Sequence, residues 1–175
     1  MIGLQIITKN ELNDIMIYTI GHSNITQESF VLILKSFKID IVVDVRSSPY
    51  SKFVPHFNRE NIKKSLIENG MRYIFLGDYI GGKPRDKKYY ENGEVNYRLI
   101  AQSDRYSEGI NRIIELNNKD NIVLMCSEEY PYKCHRHNLI TQTLVKEGLE
   151  VIHIRKNSTN KISKPDKNDI QTTLF

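Results

Sequence analysis

Several residues whose side chains could take part in catalysis lie close together in the second half of the chain, namely Cys126, Glu128, Cys134, His135 and Arg136. A thiol can act as a nucleophile, and a carboxylate or an imidazole can transfer protons. A further imidazole, that of His22, follows an apolar segment near the N-terminus. We expect Glu128, His22 and Cys126 to be the catalytic residues.

The segment after Cys134 has the spacing of an amphipathic helix, with Leu139, Ile140, Thr143 and Leu144 on one side. Cys134, His135 and Arg136 would then lie at the N-terminus of that helix. Free amide groups and the helix dipole at such a position favour an anion and lower the pKa of a nearby thiol. Arg46 and Arg136 would form a fork that binds a phosphate or a carboxylate.

The elements that must position these residues are buried strands alternating with helices. Apolar, β-branched segments predict strands at 17–20, 41–45, 71–76, 122–125 and 149–154. Strands that are apolar on both faces are typical of a parallel sheet covered by helices on both sides. We therefore expect an α/β fold with three layers and a mostly parallel sheet of about five strands.

Ligands of parallel α/β sheets bind beyond the carboxyl ends of the strands. The polar residues that follow the predicted strands would all lie at that edge. A long segment, 77–96, adds two glycines that would let the backbone approach a ligand, together with basic side chains. The expected ligand-binding residues are Ser23, Asp44, Arg46, Ser47, Gly81, Gly82, Arg85, Cys134, His135 and Arg136.

Structural interpretations of some of these residues remain open. A cysteine at the end of an apolar strand, like Cys126, is more often buried and inert. Asp44 could simply pair with an arginine. His153 is expected to be structural, and His56 and His137 to be ordinary surface residues.

The cysteines allow two further interpretations. Zinc could bind Cys126 and Cys134 with His135 or His22, although the spacing is not a familiar ligand pattern. We assign no metal and no cofactor. Rhodaneses and cysteine phosphatases also pair a strand ending in Asp-x-Arg with a later strand ending in a cysteine. Here the loop from Cys126 to Arg136 is longer than their tight cradle, so the similarity concerns the fold alone.

The net charge of the chain is +4, but most of it lies near the C-terminus. Residues 155–175 hold five basic and two acidic residues, so the remainder is nearly neutral and gives little support for nucleic-acid binding. No segment is long and apolar enough to span a membrane, and the N-terminus does not resemble a secretory signal. Two cysteines cannot form a disulfide framework, which favours a cytoplasmic location.

Three parts of the chain are distinguished by composition. Residues 1–15 form an N-terminal extension without a motif, and residues 16–155 form a single α/β domain. Residues 156–175 are expected to be a disordered tail, because 156–169 is almost entirely polar. That tail ends in the sequence QTTLF.

Four motifs resemble those of a bacterial and archaeal family called domain of unknown function 488. They are IYTIGHSN at 17–24, VDVRSSPYS at 43–51, GGKPRD at 81–86 and LMCSEEYPYKCHR at 124–136, and the resemblance extends from about Met16 to Ile154. It implies a family site on the α/β domain but no established reaction. The implied site residues are His22, Ser23, Asp44, Arg46, Pro49, Cys126, Glu128, Cys134, His135 and Arg136.

The C-terminal pentapeptide resembles the Q-x-x-L-F peptide by which bacterial replication and repair proteins bind the DNA sliding clamp. Leu174 and Phe175 would enter an apolar pocket, and Gln171 would fix the orientation. The first hypothesis is therefore a cytoplasmic enzyme of DNA or nucleotide metabolism, a hydrolase or lyase recruited to the clamp. The alternatives are a non-catalytic nucleotide- or nucleic-acid-binding module and a rhodanese-like or redox thiol enzyme that uses Cys126 and Cys134.

Overall fold

The computed structural model of the protein describes residues 16–166. Strands and helices alternate along the chain, as expected from its apolar segments. In chain order they are β1 (Met16–Gly21), α1 (Gln27–Ser36), β2 (Ile41–Asp44), α2 (Arg59–Glu68), β3 (Arg72–Phe75), α3 (Gly77–Ile80), β4 (Tyr90–Glu91), β5 (Glu94–Val95), α4 (Tyr97–Ala101), α5 (Asp104–Asn117), β6 (Ile122–Cys126), α6 (Gln142–Lys146), β7 (Glu150–Ile154) and β8 (Thr159–Ile162).

Short helical turns of other types connect some of these elements. Single 3₁₀ turns occur at Pro55–Phe57, Lys87–Tyr89 and Pro131–Lys133, and a π-helical segment, Arg136–Thr141, leads directly into α6. Among residues 16–166, no helix combines the length and the apolar composition needed to cross a membrane.

The main sheet has the strand order β3-β2-β6-β1-β7-β8. The first five strands of that order are parallel to their neighbours, and β8 runs antiparallel to β7. The prediction of a mostly parallel α/β sheet is therefore confirmed. The sixth strand, β8, was not expected.

Two hydrophobic cores cover the two faces of the sheet. One contains Phe30, Leu34, Ile62 and Leu66 of α1 and α2, and the other contains Ile110, Ile113 and Leu144 of α5 and α6. Alternate residues of each strand serve the two cores; in β2, for instance, Val42 belongs to the first and Val43 to the second. This is why the strands are apolar on both faces.

The crossovers change face next to β6, which lies between β1 and β2. The helices after β1 and β2 cover one face, whereas the π-helical segment and α6 after β6 cover the other. Such a point opens a crevice beyond the carboxyl ends of the strands. Cys126, the last residue of β6, lies at this crevice.

Residues 156–166 do not form the disordered tail that their polar composition indicated. A turn, in which the Arg155 amide donates to the Ser158 carbonyl at 2.8 Å, leads into β8. There Ile162 lies opposite Val151 and packs on the core. The prediction was wrong because strand pairing uses backbone groups, which the open edge of β7 offers to a polar segment as well as to an apolar one. Residues 167–175 lie outside the described part of the chain.

The role of β8 can be tested by truncation. A chain that ends at residue 155 is expected to be less stable than one that ends at residue 166 by about 2–4 kcal/mol, because it loses the β7–β8 hydrogen bonds and the packing of Ile162. Urea unfolding followed by circular dichroism measures the difference. Equal midpoints for the two chains would contradict a structural role for β8.

Candidate functional site

Backbone hydrogen bonds hold three strand ends together at the carboxyl edge. The His22 amide donates to the Cys126 carbonyl at 3.0 Å, and the Val45 amide donates to the Met125 carbonyl at 3.1 Å. The Ser23 amide reaches the Ser127 carbonyl at 2.8 Å. The strand ends that the sequence analysis placed at one edge therefore do meet there.

Two thiols and an imidazole come together at the end of β6. The Sγ atoms of Cys126 and Cys134 are 3.2 Å apart, and Nδ1 of His135 lies 3.9 Å and 3.7 Å from them, respectively. Both cysteines are free thiols and all three side chains are buried. The 3₁₀ turn Pro131–Lys133 returns the chain, so that Cys134 faces Cys126 across the loop.

The orientation of His135 follows from its contact with Val45, the residue after β2. Its Nε2 lies 2.9 Å from the carbonyl oxygen of Val45. Because a carbonyl only accepts, Nε2 carries the hydrogen, and the lone pair of Nδ1 faces the two thiols. Gly82 packs on the other side of the ring, where a Cβ would lie 2.5 Å from the Cγ of His135.

Glu128 completes the arrangement from the solvent side. The Cys126 thiol donates to its Oε2 at 3.1 Å, and the side chain is otherwise exposed. Burial would raise the pKa of this carboxyl, but hydrogen bonds from Cys126, its own amide and Cys134 outweigh burial and lower the pKa. Glu128 is therefore ionised at neutral pH. We call Cys126, Glu128, Cys134 and His135 the thiol cluster.

The pKa of the Cys134 thiol moves in the opposite direction to the one expected. Its hydrogen bond to Cys126 and its burial raise the pKa well above the ordinary value. A lowered pKa was expected from the helix N-terminus, and the Arg136 amide does donate to the Cys134 sulfur at 3.4 Å, but the hydrogen bond to Cys126 and burial outweigh it. In this arrangement Cys134 remains a thiol at neutral pH.

Two residues near the thiol cluster were not singled out by the sequence analysis. Gly21 lies directly under the 127–129 loop, where a Cβ would be 1.7 Å from the Glu128 carbonyl oxygen. The pKa of Tyr97 is raised to about 12, mainly by burial and also by the nearby Cys134, Cys126 and Glu128. The Gly-His pair at the end of β1 could have identified Gly21 from the sequence. No sequence pattern indicates Tyr97.

Arg46 is engaged by its own chain. Its Nε and NH2 donate to the two carboxylate oxygens of Asp44 at 2.9 Å and 2.6 Å, and Tyr73 donates to the same carboxylate at 2.6 Å. Asp44 is fully buried and Arg46 is 5% exposed. The structural interpretation of Asp44, a buried partner of an arginine, therefore describes its contacts.

His22 belongs to this ion pair and not to the thiol cluster. Its Nδ1 donates to the Ser23 carbonyl at 2.8 Å, so its Nε2 accepts from NH1 of Arg46 at 3.1 Å. The ring stacks on Phe57, with centroids 4.1 Å apart. Burial lowers the pKa of His22 to about 4, and nearby Arg46 adds to this. His22 is therefore neutral at pH 7, with both ring nitrogens occupied.

Arg136 is completely buried and does not meet Arg46 in the expected fork. Its NH2 donates to the carbonyls of Glu128 at 2.7 Å and Glu129 at 3.1 Å, and its NH1 donates to Thr19 at 3.1 Å. The Nε atom has no partner in the described structure. The expected fork is not formed in this structure, because each guanidinium contacts protein groups that sequence spacing cannot reveal.

A chain of buried polar groups continues from Thr19. Its hydroxyl lies 2.6 Å from Nδ1 of His153, whose Nε2 lies 2.9 Å from Nδ1 of His137. Nε2 of His137 then contacts Asp166 at 2.9 Å. His137 is 1% exposed, so its assignment to the surface was wrong. Burial lowers the pKa of His153 to about 3, with nearby Arg136 contributing, so this ring is neutral at pH 7.

The remaining expected ligand residues differ in their contacts and in their exposure to solvent. Ser47 accepts from the Lys83 amide at 2.8 Å, and Gly81 packs against the Ser47 side chain. Both glycines thus face protein atoms. Ser23 has a positive φ of 49°, and Arg85 is exposed. Pro49, implied only by the family resemblance, is buried. The clamp-binding residues Gln171, Leu174 and Phe175 lie outside the described residues.

The fold and the thiol cluster together define a three-layer α/β protein with a polar site at a topological switch point. The family model that matches residues 26–143 is that of the Domain of unknown function DUF488. Because this match covers more than half of the chain, the protein belongs to that family. No curated relative and no solved structure is similar enough to the chain to count as a match.

The buried ion pair under the site can be tested by mutation. Asp44→Ala is expected to cost about 3–5 kcal/mol of unfolding free energy, because it leaves Arg46 buried without its counter-ion. Asp44→Val combined with Arg46→Met should recover most of that loss. Urea denaturation measures both.

The surface pair of Arg72, which is exposed, and Asp120, which is partly exposed, has NH2 and Oδ1 2.5 Å apart and provides the matched control. Asp120→Ala should cost less than about 1 kcal/mol. If the buried and the exposed pair proved equally costly to break, the account of the Asp44–Arg46 pair would fail.

Proposed function

We propose that this protein is a cytoplasmic enzyme of nucleotide or DNA metabolism whose reaction takes place at the thiol cluster. The observation that supports this most is the contact between Cys126 and the exposed, ionised Glu128 at the carboxyl edge of the sheet. Sites at such edges are where α/β proteins generally bind and transform ligands. A carboxylate that reaches solvent beside a buried thiol and an imidazole can accept a proton from water or from a substrate.

Hydrolysis and elimination are the reaction classes that suit this arrangement, because both need a base. Glu128 is the candidate base, since it is ionised and accessible. Cys126 is the candidate nucleophile, and its proton would pass to the carboxylate that it already contacts at 3.1 Å. His22 is a positioning residue in this proposal, because it holds the Asp44–Arg46 pair below the site.

Binding of phosphate is assigned to a different set of cations from the expected fork. Residues 83–88, which we call the basic segment, carry the exposed side chains of Lys83, Arg85, Lys87 and Lys88. Lys88 contacts Asp86 at 3.2 Å but keeps 65% of its side chain exposed. The basic segment starts where Gly82 touches His135. A phosphate held by it would therefore lie beside the thiol cluster.

The aromatic rings of the same region add a second means of binding a nucleotide. Nζ of Lys87 lies 5.1 Å from the ring centroid of Tyr90, and Nζ of Lys88 lies 4.9 Å from that of Tyr89. Rings flanked by cations can stack on bases while the charges contact phosphates. This combination favours a nucleotide or a single strand over a simple anionic metabolite.

The basic segment can be tested with a fluorescent single-stranded oligonucleotide and the full chain. Arg85→Glu with Lys87→Glu is expected to weaken binding by about tenfold or more and to lower the slope of log affinity against log salt concentration by about one to two. Anisotropy titrations at several salt concentrations measure both quantities.

A double substitution of equal charge on α2, Lys63→Glu with Lys64→Glu, is the matched control, since both lysines are exposed on a distant helix. It should leave the affinity within about twofold. Equal losses in both double variants would mean that only total charge matters, and the basic segment would lose its assignment.

A turnover assay distinguishes an enzyme from a non-catalytic binding module. Glu128→Gln is expected to abolish turnover of the modified or damaged DNA or nucleotide that the wild type converts, while oligonucleotide binding persists. If the wild type binds oligonucleotides but converts none of a broad substrate panel, the binding module becomes the better description.

The distance of 3.2 Å between the two sulfur atoms favours a redox thiol enzyme as the second candidate. Such an enzyme would use a disulfide between Cys126 and Cys134, and its attacking cysteine must form a thiolate. The raised pKa of Cys134 and the burial of both side chains count against this function. Fast alkylation of either thiol at neutral pH would revive it.

Recruitment to the sliding clamp is part of the proposal and rests on the QTTLF sequence alone. Gln171→Ala with Leu174→Ala and Phe175→Ala is expected to abolish binding of the full chain to a purified bacterial sliding clamp, measured by surface plasmon resonance. The peptide provides its own control: Thr172→Ala with Thr173→Ala, at the free positions of the pattern, should bind as the wild type does. If the wild type fails to bind, clamp recruitment is refuted.

A further inference from the structure

We propose that the thiol cluster is a binding site for a divalent transition-metal ion of the zinc class, with Cys126, Cys134 and His135 as buried ligands and Glu128 as the fourth. The three buried donor atoms lie within 4.8 Å of one another. No other group of three or more His, Cys, Asp or Glu ligand atoms of this kind is found among residues 16–166.

The spacing of the donor atoms fits one face of a tetrahedron around zinc. With Zn–S near 2.3 Å and Zn–N near 2.05 Å, tetrahedral angles place two sulfurs about 3.8 Å apart and a sulfur and a nitrogen about 3.6 Å apart. The corresponding distances here are 3.2 Å between the sulfurs, and 3.9 Å and 3.7 Å from sulfur to Nδ1. The two sulfur–nitrogen distances lie within about 0.3 Å of the tetrahedral values, and the two sulfurs would have to move apart by about 0.6 Å.

His135 has the orientation of a metal ligand. A histidine that binds a metal through one ring nitrogen usually donates its other N–H to a carboxylate or a backbone carbonyl. Here Nε2 donates to the Val45 carbonyl at 2.9 Å, so the lone pair of Nδ1 points at the two sulfurs. Gly82 keeps the ring in this position because only a residue without a Cβ fits against it.

Glu128 would supply a fourth, exchangeable donor from outside the group of three whose atoms lie within 4.8 Å of one another. Its Oε2 is 3.1 Å from the sulfur of Cys126, compared with about 3.5 Å for two donors of tetrahedral zinc. Three ligands are buried and this one is exposed. A site of three fixed protein ligands and one exchangeable position is typical of catalytic zinc, whereas structural zinc is closed.

The donor set selects the metal. Two sulfurs and an imidazole favour zinc or a similar transition metal over magnesium and calcium, which prefer oxygen. Binding forms two metal–sulfur bonds and breaks two S–H bonds, so two protons pass to solvent and no electron is transferred. No oxidant or reductant is needed.

This inference deepens the proposed function by naming the reaction centre; with the ion bound, Cys126 is a ligand and no longer the nucleophile, and Glu128, whose position is exchangeable, remains the candidate base. The metal can be tested without any substrate. The full chain would be purified under reducing conditions from zinc-supplemented cells, and its metal content would be measured by mass spectrometry. We expect about one zinc ion per chain. After removal by a chelator, titration with Co²⁺ should produce the visible absorption bands of a tetrahedral thiolate complex.

Substitution of the ligands tests which residues hold the ion. Cys134→Ser and His135→Ala should each reduce bound zinc to less than about a tenth of the wild-type content. Gly82→Ala, which displaces the ring of His135, should weaken affinity by about 10–100-fold. Ser127→Ala, between two ligands in the chain but without a donor in the proposed set, should retain the ion. Circular dichroism confirms that each variant is folded.

Protection of the thiols provides a measurement on the wild type alone. Alkylation of Cys126 and Cys134 should be slower with the ion bound than after chelation, because the metal–sulfur bonds occupy the reactive lone pairs; burial keeps the reaction slow at neutral pH in both forms. Free thiols without metal after zinc loading, or a disulfide recovered in place of an ion, would overturn the proposal.

Glu128→Gln distinguishes the metal site from the proposed enzyme activity, because it should keep most of the zinc yet lose turnover. Bound zinc without turnover in the wild type would refute the enzyme and leave the metal site.

Discussion

The loop that carries the thiol cluster depends on one buried charge, the guanidinium of Arg136. Its contacts are the hydroxyl of Thr19 and the carbonyls of Glu128 and Glu129, and none of them is a carboxylate. Burial of a cation is costly unless hydrogen bonds replace its water. The two carbonyls must therefore point inward. As a result the side chain of Glu128 turns to Cys126, and that of Glu129 turns to Arg155, which it contacts at 2.7 Å.

The same constraint explains how a loop without regular structure can hold a site in place. The carbonyls of residues 128 and 129 are fixed to Arg136, the backbone of Ser127 is fixed to Ser23, and Gly21 lies under the loop. The 3₁₀ turn at Pro131–Lys133 then brings Cys134 back to Cys126. A spacing of cysteines that matched no familiar metal pattern thus becomes compatible with one, because the turn sets the distance and the number of intervening residues does not.

The parts of the fold that could be predicted from the sequence are those that depend on local composition. The apolar segment 122–125 lies within β6, and Thr26 caps α1 by accepting from the Ser29 amide, because burial of both strand faces and helix capping leave a signal in neighbouring residues. The meeting of strand ends followed from parallel topology alone. In contrast, β8 was missed because pairing at an open edge needs backbone groups and no apolar pattern.

The partners of the charged residues could not be predicted in the same way. Arg46 and Arg136 were expected to bind an anion together, yet Arg46 is paired with Asp44 and Arg136 donates to backbone carbonyls. His137 was expected at the surface, yet it contacts His153 and Asp166. Residue type shows that such a side chain needs a partner, but only the tertiary structure shows which one. The four candidates that the structure brings together, Cys126, Glu128, Cys134 and His135, are also close to one another along the chain.

One segment of the chain supplies the side chains of the thiol cluster, whereas other segments supply only backbone groups. All of its donor side chains come from one contiguous stretch, residues 126–135. The segment after β2 contributes the Val45 carbonyl, and Gly21 and Gly82 pack against the cluster. A main-chain carbonyl persists whatever side chain its residue carries. Substitutions within this one short segment can therefore remove or replace the reactive groups. The surrounding strands need to keep only their backbone conformation.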